Sequence, residues 1–300
     1  MTTPPYDIVA IEGVDQEAVV AAIGSVFGPR SLAWYRWKHL ENPAGASLGW
    51  VAMDTDGVIG VRLLQRWDLL FDGETRAALR PVDTVTVSRA RRRGVFQTLL
   101  DEALAHLVDH HEGDLLFNTP NENSRGGYAK NGWTLLPDIA HGLRVTFPGS
   151  RFGSPTDVGA LEFPVPGGAD AIVTAKTPAY LAWRYDPRSG HRYQAMRTPE
   201  SEEPAAIVYR TATRKRSRTL ILCEGFGPSH LIARLAAATA RRERAVTTIA
   251  LTGPGSRSAA KPHVTRGSTV LAVRPLTQVR PDPLVLDSWA LTLGDVEDVI

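Results

Sequence analysis

The most regular pattern in the chain runs from Val95 to Val108. Val95, Phe96, Leu99, Leu100, Ala103, Leu104, Leu107 and Val108 recur at i, i+1, i+4 and i+5 with Gln97, Asp101, Glu102 and His106 opposite, which predicts an amphipathic helix. A weaker stripe of Ala18, Val19, Ala22, Ile23 and Phe27 predicts a helix from Asp15 to Phe27. The aromatic segment Ser31–Leu40, with Trp34, Tyr35 and Trp37, predicts a second helix, stopped by Asn42-Pro43. Strand-like runs fall at Tyr6–Ile11, Leu48–Met53 and Val58–Leu70, and another ends near Val87; Asp54-Thr-Asp-Gly57 and Asp72-Gly73 supply the turns. Leu115–Asn118 reads as a short strand and Ser124–Asn131 as a short helix ended by Gly132, and Trp133 opens a further strand. Strands, a long helix, a strand and a helix in this order predict a mixed α/β fold.

Phe147–Pro155 (FPGSRFGSP) has the Gly, Pro and Ser content of a linker. Beyond it the pattern recurs weakly. Leu181-Ala-Trp183 echoes Leu32-Ala-Trp34, Asp186-Pro187 echoes Asn42-Pro43, and Tyr193-Gln-Ala-Met196 echoes Trp50-Val-Ala-Met53. Strands at Ala205–Arg210 and Thr219–Cys223 follow, then a helix from Pro228 to about Arg241 with Leu231, Ile232, Leu235 and Ala236 on one face, then a strand at Val246–Leu251. The order of elements points to two related halves, residues 1–147 and 156–300.

The 300 residues are 43% hydrophobic and 22% charged, with 26 Gly and 21 Pro, which excludes a disordered or collagen-like chain. No run reaches the ~18 apolar residues of a membrane helix, and Met1-Thr-Thr-Pro-Pro-Tyr6 lacks a secretion signal, so the expectation is a cytoplasmic protein without a membrane partner. The single cysteine, Cys223, excludes an intramolecular disulfide framework and any multi-Cys metal site, and no metal is expected. A net charge of +2, from 34 basic and 32 acidic residues, does not mark a nucleic-acid binder. Arginines nevertheless outnumber lysines 29 to five and cluster at Arg89–Arg93, Arg214–Arg218 and Arg241–Arg244.

The first cluster carries chemistry. Arg91-Arg92-Arg93-Gly94-Val95-Phe96 lies between a strand and the start of the regular helix. A Gly-containing loop opening a helix presents backbone N–H groups and the positive helix end to one point, which suits a pyrophosphate. Gly94 lets a phosphate approach the main chain, and arginines add charge-assisted donors; a basic solvated loop would read the same way. Thirty residues on comes Asn121-Glu-Asn-Ser124-Arg-Gly-Gly-Tyr128-Ala-Lys-Asn-Gly132-Trp133. Together these resemble the GNAT superfamily of acyl-CoA-dependent N-acyltransferases. The first fits its cofactor loop, Arg/Gln-x-x-Gly-x-Gly/Ala, preceded by a Val85-Thr86-Val87 strand. The second fits Asn-x-x-Ser/Ala-x-x-x-Tyr-x-x-x-Gly-Phe. Phe96 departs from the small residue that ends the loop, as in the larger Eis-like bacterial members. The resemblance covers about Tyr6–Leu136 and is strongest over Asp83–Trp133.

It implies a GNAT fold, in tandem with a degenerate second copy, that uses acetyl-CoA or another acyl-CoA as co-substrate. By the same resemblance the pantetheine would pair with Val85, Thr86 and Val87, where a backbone N–H would polarise the thioester carbonyl. Arg91, Arg92, Arg93, Gly94, Val95 and Phe96 would hold the pyrophosphate. Asn121 and Ser124 would order the cofactor arm or a water, and Tyr128 would protonate the departing thiolate. Asp83 is the nearest candidate to deprotonate an amine acceptor, against the alternative of a strand-end carboxylate; Glu122 and Glu41 are weaker candidates. No Gly-x-Ser-x-Gly and no cysteine near the loop support a covalent acyl-enzyme.

The corresponding loop of the second half, Glu224-Gly-Phe-Gly-Pro-Ser-His230, lacks basic residues, and no Asn-x-x-Ser-x-x-x-Tyr follows Val246–Leu251. One donor site is therefore expected, in the first half, with the second as scaffold and acceptor pocket. Trp34 and Trp37, with Trp183 and Tyr185, are the aromatic candidates to line that pocket, and core positions are the competing assignment. Asp295, Glu297 and Asp298 either face a cationic acceptor or form an acidic solvated tail. The expected activity is transfer of an acetyl group to a primary amine of a small molecule such as an amino sugar, antibiotic or natural-product intermediate; a silent acyl-CoA-binding protein on the same scaffold is the alternative.

Overall fold

The computed structural model describes residues 6–163, 171–214, 217–257 and 262–296. They form two compact units that interleave along the chain. The first comprises Met1–Asp68, Arg76–Phe117 and Pro275–Gln278, and the second Leu69–Thr75, Asn118–Arg274 and Val279–Ile300.

In the first unit, strand β1 (Asp7–Ala10) pairs antiparallel with β2 (Leu48–Asp54), which pairs antiparallel with β3 (Gly57–Phe71) through the turn read at Asp54–Gly57. Next in the sheet come β4 (Glu74–Thr86) and β5 (Leu115–Asn118). Helix α1 (Gln16–Phe27) is capped by Asp15, whose carboxylate accepts from the amides of Glu17 and Ala18. Helix α2 (Leu32–Tyr35) is capped by Ser31 and widens into a π-turn over Arg36–Leu40, so the single helix read at Ser31–Leu40 changes pitch midway. Val19, Val20 and Ile23 pack with Tyr35, Val51, Val61, Leu63 and Val85 in one core. Helix α3 (Val95–Asp109) buries Val95, Leu99, Leu100, Ala103 and Leu107, one line at i+4 and its flank. Phe96 and Val108, expected on the same stripe, turn to solvent, and Phe27 of α1 does too.

The second unit holds helix α4 (Glu122–Lys130), β6 (Thr134–Leu135), β7 (Ile139–Val145), β8 (Ser154–Thr156) and β9 (Ile172–Thr174). It continues with α5 (Pro178–Arg184), β10 (Gln194–Arg197), β11 (Ala206–Arg214), β12 (Ser217–Phe226), α6 (Ser229–Arg242), β13 (Thr247–Thr252), β14 (Val264–Thr269) and β15 (Ala272–Pro275). Its sheet runs β14-β7-β13-β12-β11-β10-β8. The proposed linker thus ends in a strand, since Ser154–Thr156 pairs with β10. β7 inserts between β13 and β14 from more than a hundred residues earlier in the chain, by the register Thr247↔Val145 to Thr252↔Ala140. β15 pairs with β6. The echoed triplet Leu181-Ala-Trp183 sits in α5, capped by the Thr177 hydroxyl as Ser31 caps α2. Leu231, Ile232, Leu235 and Ala236 of α6 are buried together against Ile207, Tyr209 and Leu220, as the sequence pattern predicts.

One buried polar cluster ties the end of this unit to its sheet. Lys176 Nζ donates to Glu224 Oε2, to Thr292 Oγ1 at 2.8 Å and to Asp295 Oδ2 at 3.1 Å, and Tyr185 Oη donates to Glu224 Oε1 at 2.6 Å. Asp295 also accepts from the amide and hydroxyl of Thr292. Burial pushes the Glu224 carboxyl up, whereas for Asp295 Lys176 and the Thr292 bonds outweigh burial and hold it down. A Cβ at Gly294 would collide with Glu224 Oε1 and Tyr185 Oη, so the chain closes over the cluster only with glycine there. Asp295 is therefore a buried ion-pair partner rather than part of a solvated tail, while Glu297 and Asp298 lie outside the described residues. Removing Lys176 as Lys176→Met leaves two carboxylates buried without their cation; it is expected to lower the unfolding free energy by about 3–5 kcal/mol, measured by urea denaturation at neutral pH.

Candidate active site

The site begins where two strands part. β4 and β5 are parallel and pair through Ala78↔Leu115 and Leu79↔Leu116, after which β4 continues to Thr86. Asp83 adopts φ +49°, a left-handed conformation inside a strand. Val85 is buried, and the Val87 amide donates to Ile59 O at 3.0 Å, which returns the strand end to β3.

From Val87 the chain makes a 3-10 turn at Ser88–Ala90, and Arg92 (φ +63°) and Gly94 (φ +79°) are both left-handed before α3 starts. Gly94 is the N-cap of α3 and no side chain caps the helix; Thr98 N to Gly94 O is the first main-chain bond of the ladder. The amides of Val95, Phe96 and Gln97 therefore have no partner within the helix. A Cβ at Gly94 would meet no atom within 4 Å, so the space before these amides is open. Gly60 brings the helix in: a Cβ there would stand 2.5 Å from Val95 Cγ1. Arg89 grips Asp54 with both terminal nitrogens at 2.6 and 3.0 Å, and Arg93 reaches it at 3.5 Å. Two of the four basic residues thus brace the loop against the β2–β3 turn. The Arg89 hydrogen bonds hold the Asp54 carboxyl below its usual range. Arg91 and Arg92 are exposed and make no ion pair among the described residues.

Asp83 is the centre of a second constellation in this unit. Lys38 Nζ lies 2.7 Å and His39 Nε2 3.1 Å from Asp83 Oδ2, and His39 Nδ1 lies 3.0 Å from Ser47 Oγ. His39 is fully buried, Lys38 and Ser47 nearly so. Burial raises the Asp83 carboxyl, but Lys38 and His39 together outweigh it and hold it well below the usual carboxylate range. With Asp83 ionised, the network assigns the His39 proton to Nε2, leaving Nδ1 to accept from the Ser47 hydroxyl. The π-turn at Arg36–Leu40 carries both Lys38 and His39. Trp34 is half-buried, its ring 5.3 Å from Lys38 Nζ and 5.3 Å from the Arg30 guanidinium, whereas Trp37 is only 5% exposed. Lys38, His39 and Ser47 are absent from the motif-based reading. Their one sequence signal is a Lys-His pair inside an aromatic helix.

The second motif lies in the second unit. Asn121 caps α4: its Oδ1 accepts from the Ser124 amide at 3.1 Å, and Ser124 Oγ lies 3.0 Å from Asn121 O. Tyr128 Oη accepts from Asn118 Nδ2, Asn118 Oδ1 in turn accepts from the Thr119 amide at 2.8 Å, and the phenol meets Trp133 edge-on at 4.8 Å. Glu122 lies in the first turn of α4 and Glu41 follows the π-turn; both are exposed. Trp183 and Tyr185 are buried. Burial pushes the Cys223 thiol up to about 12, which suppresses its thiolate. Among the described residues no group of three or more His, Cys, Asp and Glu side chains is placed to hold a metal ion, and no helix is long and apolar enough to cross a membrane.

These features coincide with what the chain is similar to. Residues 8–136 match the model of the acetyltransferase (GNAT) domain. Three solved structures share the fold. The probable N-acyltransferase from Enterococcus faecalis V583, a conserved protein of unknown function, is 12% identical with a TM-score of 0.66, over 96% of this chain and 74% of that one. A GCN5-related N-acetyltransferase from Anabaena variabilis is 9% identical with a TM-score of 0.65, over 90% and 73%. Eis1 from Mycobacterium abscessus is 12% identical with a TM-score of 0.58, over 90% and 73%. No curated protein sequence matches the chain. The fold is a GNAT fold, and residues 8–136 carry the match to the GNAT domain model.

The Asp83 pair carries a pH signature. A carboxyl held low in the folded state contributes stability above its unfolded value near 4 and loses it as acid titrates the folded form. Unfolding free energy is expected to fall from about pH 4 downward, and the slope to shrink in the paired variant Asp83→Asn/Lys38→Gln, as urea titrations at pH 6 and pH 3 would measure.

Proposed function

We propose that the protein is an acyl-CoA-dependent N-acyltransferase, with acetyl-CoA as donor and the primary amine of a small molecule as acceptor. The observation that carries this reading is the uncapped start of α3: open amides at Val95–Gln97, left-handed Gly94 and two arginines without ion pairs, at the end of a strand that leaves its neighbour. These residues fit a pyrophosphate, with main-chain N–H groups and the helix dipole facing the anion and Arg91 and Arg92 adding charge. Val85 and Thr86 are assigned to offer main-chain groups to the pantetheine, whereas the Val87 amide is taken by Ile59 O and its carbonyl by the Ala90 amide. The donor supplies a thioester, and transfer moves its acyl group from sulfur to the amine nitrogen with loss of one proton from that nitrogen and gain of one by the thiolate.

In this reading Tyr128 gives the proton to sulfur. Its oxygen accepts a bond from Asn118, which favours release of the phenolic hydrogen toward a stronger acceptor. Asn121 and Ser124, engaged with each other at the helix cap, act through the position of α4. Asp83 is the carboxylate assigned to take the proton from the amine. Its ion pair with Lys38 keeps it charged but lowers its proton affinity, so passage of the proton through water to Asp83 suits it better than direct, tight abstraction. Trp34, half-buried beside Lys38, is the aromatic residue assigned to the acceptor in this reading, and the burial of Trp37 favours a core role for it.

A second reading, an acyl-CoA-binding protein without turnover, is favoured by that same depressed Asp83 carboxyl, which makes a weak base. Mixing acetyl-CoA with a panel of primary amines and following free thiol separates the two. Calorimetric binding without thiol release for any amine selects the silent reading, and no heat at millimolar acetyl-CoA removes both. Arg91→Ala and Arg92→Ala are each expected to weaken acetyl-CoA about tenfold, the worth of one bond to a charged group, with kcat little changed. Tyr128→Phe is expected to lower kcat by about a hundredfold at unchanged acetyl-CoA affinity; equal turnover would take Tyr128 out of the chemistry.

A further inference from the structure

The second unit contains a cavity that the acyl-transfer reading does not use. β12 and β13 pair in parallel over Thr219↔Thr247 to Ile221↔Ile249, and the first residues past that stretch, Leu222 and Ala250, line a cavity of about 100 Å³ against α6. Ile232 and Pro262 close it, and Ala233, Ala236 and Ala237 leave the room for it. Its other end, at β7, is polar and cationic: Arg144, Thr146 and Arg241 all line it, and no carboxylate does.

Two buried polar atoms at that end, Thr146 Oγ1 and Arg241 Nε, have no hydrogen-bond partner among the described residues. Such atoms are rare in folded proteins and call for a cause. Arg241 is not free to turn away. Its terminal nitrogens donate to Phe147 O at 3.3 Å and Ser150 O at 2.8 Å, which fixes the guanidinium and leaves its Nε–H without a partner among the described residues. Arg144 makes no ion pair among the described residues. An apolar body and a donor-rich, positively charged end in one cavity match an amphiphile with an anionic head.

We propose that this cavity binds a short aliphatic carboxylate, its oxygens accepting from Thr146 Oγ1, Arg241 Nε and the Arg144 guanidinium, and its chain lying among Leu222, Ile232, Ala236 and Ala250. An apolar cavity of about 150 Å³ takes a benzene with its six carbons, so one of about 100 Å³ suits a chain of about four carbons. The site holds whether or not the first unit turns over acetyl-CoA.

The test uses the full chain and ligand-observed NMR with butyrate, valerate and hexanoate, followed by calorimetry on the strongest. One of the three is expected to bind at millimolar affinity or better, and pentylamine at least tenfold more weakly. Ala236→Phe, which fills the cavity, and Arg144→Ala, at a partly exposed position, are each expected to weaken the carboxylate at least fivefold, with acetyl-CoA titrations and thermal unfolding of Arg144→Ala unchanged. The proposal is overturned by no binding of any carboxylate at about 10 mM, by equal binding of pentylamine, or by Arg144→Ala binding as the wild type does. A crystal structure showing only ordered water on Thr146 and Arg241 in the presence of valerate overturns it as well.

Discussion

The structure of the first unit depends on a strand that leaves its neighbour. β4 pairs with β5 for two residues and runs on to Thr86, and the left-handed turn of Asp83 marks its change of course. Extended backbone rarely gives up ladder hydrogen bonds without another partner. Here that divergence ends at α3, whose first turn has no side-chain cap, so the exposed amides and the helix dipole stand at the end of the diverging strand. Gly60 makes the arrangement possible from below, because only a residue without Cβ lets Val95 settle on β3. The loop itself is held by Arg89 and Arg93 on Asp54, which explains why a run of arginines has two fates: some brace the protein and the others face solvent.

The buried charges obey the same economy in both units. Each unit stakes its stability on a lysine that neutralises buried carboxylates, Lys38 for Asp83 in the first and Lys176 for Glu224 and Asp295 in the second. Isolated, such charges would be costly by several kcal/mol per ion. Paired, they tie down the π-turn of Arg36–Leu40 and the turn at Leu293–Asp295. In the first unit the cluster extends through His39 to Ser47, and it determines how readily Asp83 takes a proton. In the second, Tyr185 and Thr292 complete the cluster and Gly294 seals it.

The second unit has a parallel strand pair and a following helix of its own, without a basic loop between them. β12 pairs in parallel with β13 over three residues, against two for β4 with β5, and α6 begins after a glycine-proline turn, yet Glu224 is drawn into the ion cluster and no basic residue stands where Arg91 and Arg92 stand before α3. After β13 the chain makes a turn at Gly253–Ser256 instead of a helix like α4. The space along α6 is an apolar cavity with unmatched donors among its lining residues, chemistry of another kind from the open amides of α3.

Local pattern was enough for much of this protein. Helical spacing placed α1, α3 and α6 to within a residue or two, turn chemistry placed the β2–β3 hairpin, and the two spaced motifs named the loop and the Tyr128 helix, because each of these is decided by residues near one another in the chain. Short-range pattern also overreached where it counted apolar letters alone: Phe96 and Val108 lie at the margin of the stripe and face water. Only the tertiary structure decided that β7 joins a sheet built mostly from residues past 190, that Asp295 is paired with a lysine 119 positions away, and that His39 and Lys38 close on Asp83 across 44 residues or more. Strand partners and buried ion pairs are chosen by what is left exposed once the cores have formed, a property of the packed chain that no window along the sequence contains.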